Sequence, residues 1–385
     1  MSEARLLTGG QAVAEAMRQI DPDVVPVYPI TPQTPIVEGY AAFVAAGRAH
    51  GELLDVESEH SALSAAIGAA LAGARVITAT SSQGLALMTE IVYIAASLRA
   101  PIVMAVGNRA LSGPINIHCD HSDSMLVRDA GVIQLFAENA QEAYDLMLLA
   151  PRLAEHPEVL LPVLVCQDGF TITHSAEPVC LLPDDAVSAF VGEYRLPAPL
   201  LDVEHPTTQG PFAMPDYYFE LRHQQNAAQE RAAGAFAELA AEFEALSGRC
   251  YRVLEPYALD DAEQAIVCLG STAGTVKDAL DSLRREGERV GLAEIRAFRP
   301  FPATKLAETL AHVERAVVLD RADSPGGSPP LFAETAAAVQ GSNVQLRSVV
   351  YGLGGRDIHP DDVRALLDDD ARRSYLGLRG EACLA

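Results

Sequence analysis

The sequence predicts an α/β protein built from two parallel-sheet domains. Short apolar runs alternate with helical stretches through the first half, and the same alternation resumes after Arg249. At 385 residues the chain also exceeds what one hydrophobic core usually organises. The expected divisions are a first α/β domain over 1–175, an extended connector with a long helix over 176–255, and a smaller α/β domain over 256–385.

Taken in order, residues 9–19 suit a first helix, and Asp23 to Ile30 is an apolar run fit for a buried strand. That run ends in Thr31-Pro32-Gln33-Thr34-Pro35, where two prolines stop a sheet interior and preset a rigid turn. Pro35 suits the first turn of a helix that turns Ile36, Tyr40, Phe43 and Val44 inward. A strand over 53–58 then leads into an Ala-rich helix ending near Gly73. Glu57, Ser58 and Glu59 stand at its start, where unpaired N–H groups and the helix dipole favour negative charge. Leu63, Ile67 and Leu71 make its core stripe, while Ser64, Gly68 and Ala72 form a small face that another backbone could approach. Strand Val76–Ser82, helix Leu85–Leu98 and strand Pro101–Asn108 follow. Residues 109–131 are polar and irregular, as functional loops in compact domains often are. Helix 140–155 and strand Val159–Val165 close the first domain at Gln167-Asp168-Gly169-Phe170. Residues 175–215 are rich in proline and read as extended connector, and Tyr217 to Arg249 reads as a long helix. In the last third, strands are expected at 265–269, 290–297, 316–320 and 344–351.

Asp and Glu outnumber Lys and Arg by 52 to 28, a net charge of −24, which argues against nucleic acid or anionic lipid as partner. Six cysteines at 119, 166, 180, 250, 268 and 383 include no CxxC pair, so neither a zinc knuckle nor an iron–sulfur cluster is expected from this chain. Reduced packing thiols are the expectation. No membrane span is expected, because no run of eighteen apolar residues occurs, and the first residues lack the apolar core of a signal peptide. A cytoplasmic location is expected.

In a parallel sheet, ligands sit at the carboxyl ends of strands. That rule lines up the Thr31 loop, Glu57–Glu59, Ser81–Gln83 and Arg109 along one rim. Taken alone, Glu59 is either a plain acidic first turn on a core helix or a carboxylate held for chemistry. The run His118-Cys119-Asp120-His121-Ser122-Asp123 offers metal-capable types, but adjacent residues on one loop rarely converge on an ion. A hydrogen-bonded loop lining a pocket is expected there, and no metal site. Gly270-Ser271-Thr272-Ala273-Gly274 opens a helix after a strand but lacks GxGxxG spacing and a Walker lysine, so an ordinary turn is expected. Gly352-Leu353-Gly354-Gly355-Arg356-Asp357 likewise reads as a flexible turn. No GxSxG or HExxH occurs.

Together these segments carry a family resemblance. Tyr28-Pro29-Ile30-Thr31-Pro32, Glu57-Ser58-Glu59-His60, Thr80-Ser81-Ser82-Gln83-Gly84, Asn108-Arg109-Ala110 and Asp120-His121-Ser122-Asp123 resemble the alpha subunits of the pyruvate:ferredoxin oxidoreductases. The likeness continues through Asp168-Gly169-Phe170, Arg299-Pro300-Phe301-Pro302 and Gly352–Ile358, nearly the whole chain. It implies a pyrimidine-binding fold of thiamine-diphosphate enzymes followed by a domain like the transketolase C-terminus. It further implies oxidative decarboxylation of pyruvate to acetyl-coenzyme A with ferredoxin reduction, or the reverse. Thiamine diphosphate works as an electron sink at C2 of its thiazolium ring, and an acid bonded to the pyrimidine helps remove the C2 proton. By resemblance Glu59 is that acid, with Glu57 as neighbouring competitor. Pro29, Ser82 and Gln83 are implied as further cofactor contacts, and Thr31 and Arg109 as catalytic holders of the substrate carboxylate. A guanidinium fork suits a carboxylate, although Arg109 could instead pair with Asp120 or Asp123.

The Gly-Asp-Gly…Asn sequence with which thiamine enzymes hold magnesium diphosphate is missing; Gln167-Asp168-Gly169 is not followed by Asn until Asn226. The resemblance therefore assigns the diphosphate, Mg2+ and iron–sulfur clusters to a beta subunit and to gamma and delta (ferredoxin-like) subunits, with coenzyme A as co-substrate. Two other readings share the architecture: the beta subunit of a lipoamide-linked 2-oxoacid dehydrogenase, and a non-catalytic scaffold.

Overall fold

The computed structural model describes residues 3–368 and 373–379; Cys383 lies outside the described residues. The chain runs β1 (Glu3–Thr8), α1 (Gly9–Ile20), β2 (Val24–Val27), α2 (Thr34–Ala45), β3 (Glu52–Asp55), α3 (Glu59–Ala72), β4 (Val76–Thr80), α4 (Ser82–Leu87), α5 (Thr89–Ser97) and β5 (Ile102–Asn108). It continues through α6 (Ser122–Leu126), β6 (Ile133–Phe136), α7 (Ala140–Glu155), β7 (Val163–Asp168), β8 (Ala176–Leu181), α8 (Asp184–Val191) and α9 (Pro215–Ser247). The remainder is β9 (Leu254–Tyr257), β10 (Gln264–Cys268), α10 (Thr272–Arg285), β11 (Val290–Ile295), β12 (Ala297–Arg299), α11 (Ala303–Leu310), β13 (Arg315–Asp320), α12 (Pro330–Ala338), β14 (Gln345–Val350), α13 (Pro360–Asp368) and β15 (Arg373–Tyr375).

Two large sheets organise these elements. The first has the order β12-β6-β7-β5-β4-β2-β3 and the second β15-β14-β13-β10-β11-β9. Both are parallel apart from one antiparallel edge strand each, β12 on β6 and β9 on β11. The central strands are short and buried on both faces, as Ile102–Asn108 and Val163–Asp168 are throughout, because helices cover each side, whereas the edge strand β3 is largely exposed. One apolar core lies between the first sheet and α1, α7 and α9; it includes Met17, Tyr144, Phe236 and Phe243. A second core is shared by both halves, joining Leu63, Ile91 and Phe136 to Val267, Ile295 and Val318. The two sheets therefore share apolar packing.

Several elements differ from the sequence reading. The stretch 176–255 is more than connector and helix: β8 pairs antiparallel with β1 in a two-stranded sheet, and α8 follows it. The strand expected over 53–58 stops at Asp55, since Ser58 turns to cap α3. The helix expected over Leu85–Leu98 is two, α4 and α5, meeting at Met88. The strand expected from Val159 begins at Val163, after Pro162, which has no N–H for a ladder. On α3 the small face is open at Gly68: a Cβ there would have no heavy atom of the described residues within 4 Å.

Candidate active site

Strand order locates the site. From β2 the chain crosses to β3 on one side, then returns to β4 on the other, so the β2/β4 junction is a topological switch point where loops diverge and leave a crevice. These strands pair at Val24 opposite Val76 alone. Pro26 of β2 has no N–H to offer β4, and its carbonyl is met by the Thr78 hydroxyl at 2.7 Å. The loops leaving β2, β3, β4 and β5 carry the candidate residues.

Glu59 is the first residue of α3, behind an N-cap in which the Ser58 hydroxyl accepts from the Ser61 N–H at 3.2 Å. Its side chain is buried, with 7% of the residue exposed, and no group of the described chain donates to its carboxylate. Glu57 behaves otherwise: it is exposed and takes the Ser61 hydroxyl, which holds its carboxyl below the ordinary range. Glu59 reaches its position because Gly84 has no side chain. A Cβ there would lie 2.8 Å from Glu59 Oε1 and 2.5 Å from Thr80 Oγ1. The Thr80 and Ser81 hydroxyls and Asn108 Oδ1 are all buried and unpartnered, so the carboxyl ends of β4 and β5 hold several unmet polar atoms.

Arg109 follows β5 and is also 7% exposed. Its Nη1 donates to the Thr31 carbonyl at 2.9 Å, its Nε to the Asn116 carbonyl at 3.1 Å and its Nη2 to Gln83 Oε1 at 3.3 Å. No carboxylate among the described residues pairs with this guanidinium, neither Asp120 nor Asp123. The fold thus brings Thr31, Gln83 and Arg109 together. Pro29 and Thr31 are exposed on the same loop, and Ser82 is buried behind Gln83. Ser82 holds a left-handed backbone, φ 46°, unusual for a residue with a Cβ. Its hydroxyl donates to the Ala110 carbonyl at 2.7 Å, which ties the β4 loop to the β5 loop.

Sequence reasoning offered Asp123 as a metal-capable side chain and as a possible ion-pair partner of Arg109; in the fold it is instead the knot behind these loops. Its Oδ2 accepts from the backbone N–H of Ser82 at 2.9 Å and of Arg109 at 3.0 Å, and its Oδ1 from Asn108 Nδ2 at 2.8 Å. Burial pushes the Asp123 carboxyl up to about 6, against the pull of these donors. The paired backbone N–H groups of two separate loops could only have been found by folding the chain.

The 118–123 run and the Asp168 motif meet at a different place, the junction of the two halves. Asp168 accepts from His121 Nε2 at 2.7 Å, from Arg321 Nη1 at 2.7 Å and from the Ser271 hydroxyl at 2.6 Å. Burial alone would push its carboxyl up; His121 and Arg321 outweigh that and hold it well below the usual range. Cys119, His121 and Asp168 bring ligand-type atoms within 4.8 Å of one another, but Arg321 already occupies the carboxylate as counter-charge. The anion seated at Ser271, before α10, is thus a side chain of the protein itself.

Residues 15–241 match the family described as "Pyruvate flavodoxin/ferredoxin oxidoreductase, thiamine diP-bdg", and residues 262–363 match "Pyruvate:ferredoxin oxidoreductase core domain II". The chain is 56% identical to the pyruvate synthase subunit PorA of Thermotoga maritima, over 97% of each chain. It is 45% identical to the PorA of Methanocaldococcus jannaschii, over 98% of this chain and 99% of that one. The ketoisovalerate oxidoreductase subunit VorA of Pyrococcus horikoshii is 41% identical over 95% of this chain and 93% of its own length. Among solved structures, the 2-oxoglutarate:ferredoxin oxidoreductase of Magnetococcus marinus superposes with a TM-score of 0.75 at 19% identity, over 95% of this chain and 65% of that one. A split-gene transketolase superposes with a TM-score of 0.54 at 13% identity, over 94% of this chain and 95% of that one. These two likenesses concern the fold, and they agree with two α/β units in this order.

Proposed function

The chain belongs to the pyruvate:ferredoxin oxidoreductase family, and on that premise we propose that it is the alpha subunit of a thiamine-diphosphate-dependent 2-oxoacid:ferredoxin oxidoreductase acting on pyruvate. One observation carries the reading: two buried charges on one rim, Glu59 and Arg109, each lack an ionic partner within the described chain. A buried charge left unmet is costly, so both sites favour ligands that complete them.

Thiamine diphosphate, when bound, supplies the electron sink that lets an oxoacid release carbon dioxide. The residues at this rim fit its pyrimidine end. Gly84 leaves room for the Glu59 carboxylate, and the unpartnered Thr80 and Ser81 hydroxyls offer further polar contact. Glu59 holds, at a carboxylate oxygen, the proton it shares with a ring nitrogen. Arg109 binds the oxoacid carboxylate, and Thr31 lies against that guanidinium. Pro29 and Gln83 line the cofactor side, with Ser82 buried behind Gln83 and tying the two loops together. Nothing in this sequence supplies the Gly-Asp-Gly grip, so the diphosphate and Mg2+ fall to a beta subunit. Iron–sulfur clusters fall to gamma and delta subunits that pass electrons to ferredoxin, and coenzyme A takes the acyl group. No helix among the described residues is long and apolar enough to cross a membrane. The complex is proposed to work in the cytoplasm.

The test is co-purification of the chain with its partners, then viologen reduction with a panel of 2-oxoacids and coenzyme A. Pyruvate-dependent reduction by the complex and none by the chain alone is the expected result. Acyl transfer to a lipoyl protein without dye reduction, or turnover by the chain alone, overturns the proposal.

A further inference from the structure

The turn after β14 meets the loop beside the rim through two side chains, Asn116 and Asp120, and only Asn116 also contacts Arg109. Asn116 lies in the irregular loop between β5 and α6. Its carbonyl accepts from Arg109 Nε at 3.1 Å, its Nδ2 donates to the Gly354 carbonyl at 3.0 Å and its Oδ1 accepts from the His118 N–H at 2.7 Å. The neighbouring backbone is fastened too: Gly355 N–H donates to the Cys119 carbonyl at 2.7 Å, and Ala110 N–H to the His118 carbonyl at 3.0 Å. Gly354 and Gly355 have φ of 63° and 82°, and a Cβ at either would collide with Asn116 or His118. Only glycine meets both demands.

We propose that Asn116, latched to the glycine turn 352–355 of the C-terminal half, is a positioning residue that sets where the Arg109 guanidinium lies. The inference rests on the reading of Arg109 as the group that binds the substrate carboxylate. A buried guanidinium without a carboxylate partner has nothing strong to orient it, and carbonyl acceptors must fix its plane. Two of those acceptors, the Thr31 carbonyl and Gln83 Oε1, come from loops of the first sheet. The third stands on a mostly exposed loop whose place is set from the other half of the molecule. The C-terminal half therefore helps shape a substrate contact that it does not itself make. An Asp at 116 would keep the acceptor for His118 but set a carboxylate against the Gly354 carbonyl.

The experiment is steady-state kinetics on the co-purified complex carrying N116A, N116D, R109A and the N116A/R109A pair. N116A and N116D should each raise the KM for pyruvate about tenfold, the scale of one hydrogen bond to a charged group. kcat should change much less. The double variant should be no worse in KM than R109A, because the effect of Asn116 runs through Arg109. If R109A raises KM while neither Asn116 variant does, or if N116A adds its full effect on top of R109A, the positioning role is overturned and the Arg109 reading stands. If R109A leaves KM unmoved, the reading of Arg109 falls, and this inference with it. Melting temperatures of the same complexes identify any variant that fails by unfolding; N116D, of nearly unchanged shape, then carries the decision.

Discussion

Glu59 and Asp168 are both buried carboxylates at the edge of the first sheet, and their surroundings are opposite. Asp168, 1% exposed, is saturated: an imidazole, a guanidinium and a hydroxyl all point at it, two of them from the C-terminal half. Glu59, 7% exposed, has no donor among the described residues, and a glycine holds space beside it. Burial is the same in kind, so burial does not separate the acid proposed for the cofactor from the one that holds the junction. The count of partners does. A carboxylate with every lone pair answered internally holds the fold together, whereas one left unanswered is built for something that arrives later.

Four experiments would break or sharpen that contrast. Glu59→Gln should lower turnover of the assembled complex by about 10²–10⁴-fold, the range for losing a positioned acid, with its melting temperature almost unmoved. Unchanged turnover would make the chain a scaffold. Asp168→Asn should do the reverse, removing about 3–5 kcal/mol of stability in urea unfolding, because Arg321 loses its counter-charge in the interior. A loss near zero would mean that the junction is held by apolar packing alone. Gly84→Ala puts a methyl 2.8 Å from Glu59 Oε1, and the carboxylate must shift. Displacement on that scale costs turnover about 10²-fold, and stability should suffer less. Retained activity would show that Glu59 need not lie against Gly84.

The smallest effect is a pH dependence. Asp168 is held below the unfolded Asp value of about 3.9, so its contribution is complete above that pH and fades as pH falls through its folded value. The stability difference between the native chain and Asp168→Asn should therefore narrow only in strong acid. Asp320 runs the other way. Burial pushes it up to about 7, although it accepts from the N–H groups of Leu331 and Phe332. Its ionised form weakens the fold, so the native chain should gain stability relative to Asp320→Asn as pH falls from 7 toward 4. Parallel curves for the two variants would contradict both assignments.

Much of the architecture was legible because buried parallel strands are short apolar runs with helices between them, and those runs recur in this sequence. α7 spans residues 140–155 as the sequence reading had it. The two-stranded β1–β8 sheet was not legible, since Glu3–Thr8 and Ala176–Leu181 find each other across some 170 residues. The rim residues were placed by the rule that ligands gather at strand carboxyl ends. Local sequence could not tell Glu57 from Glu59, because the difference is whether Ser61 or Gly84 stands alongside. Nor could it reveal that Ser271 is matched by Asp168, 103 positions away. The roles of Asp123 and Asn116 rest on backbone groups of distant loops, and residue types carry no trace of such pairings.

The outermost strand of the first sheet, β12, is contributed by Ala297–Arg299, from deep in the C-terminal half. It lies antiparallel on β6 and takes up hydrogen-bonding groups that would otherwise face solvent. A fragment ending before residue 297 would expose that margin as a row of unpaired amides and carbonyls, a template for sticking to its own copies. Expressing the N-terminal half alone should thus give inclusion bodies or aggregates, and any attempt to graft it into another protein must bring its own cover for β6.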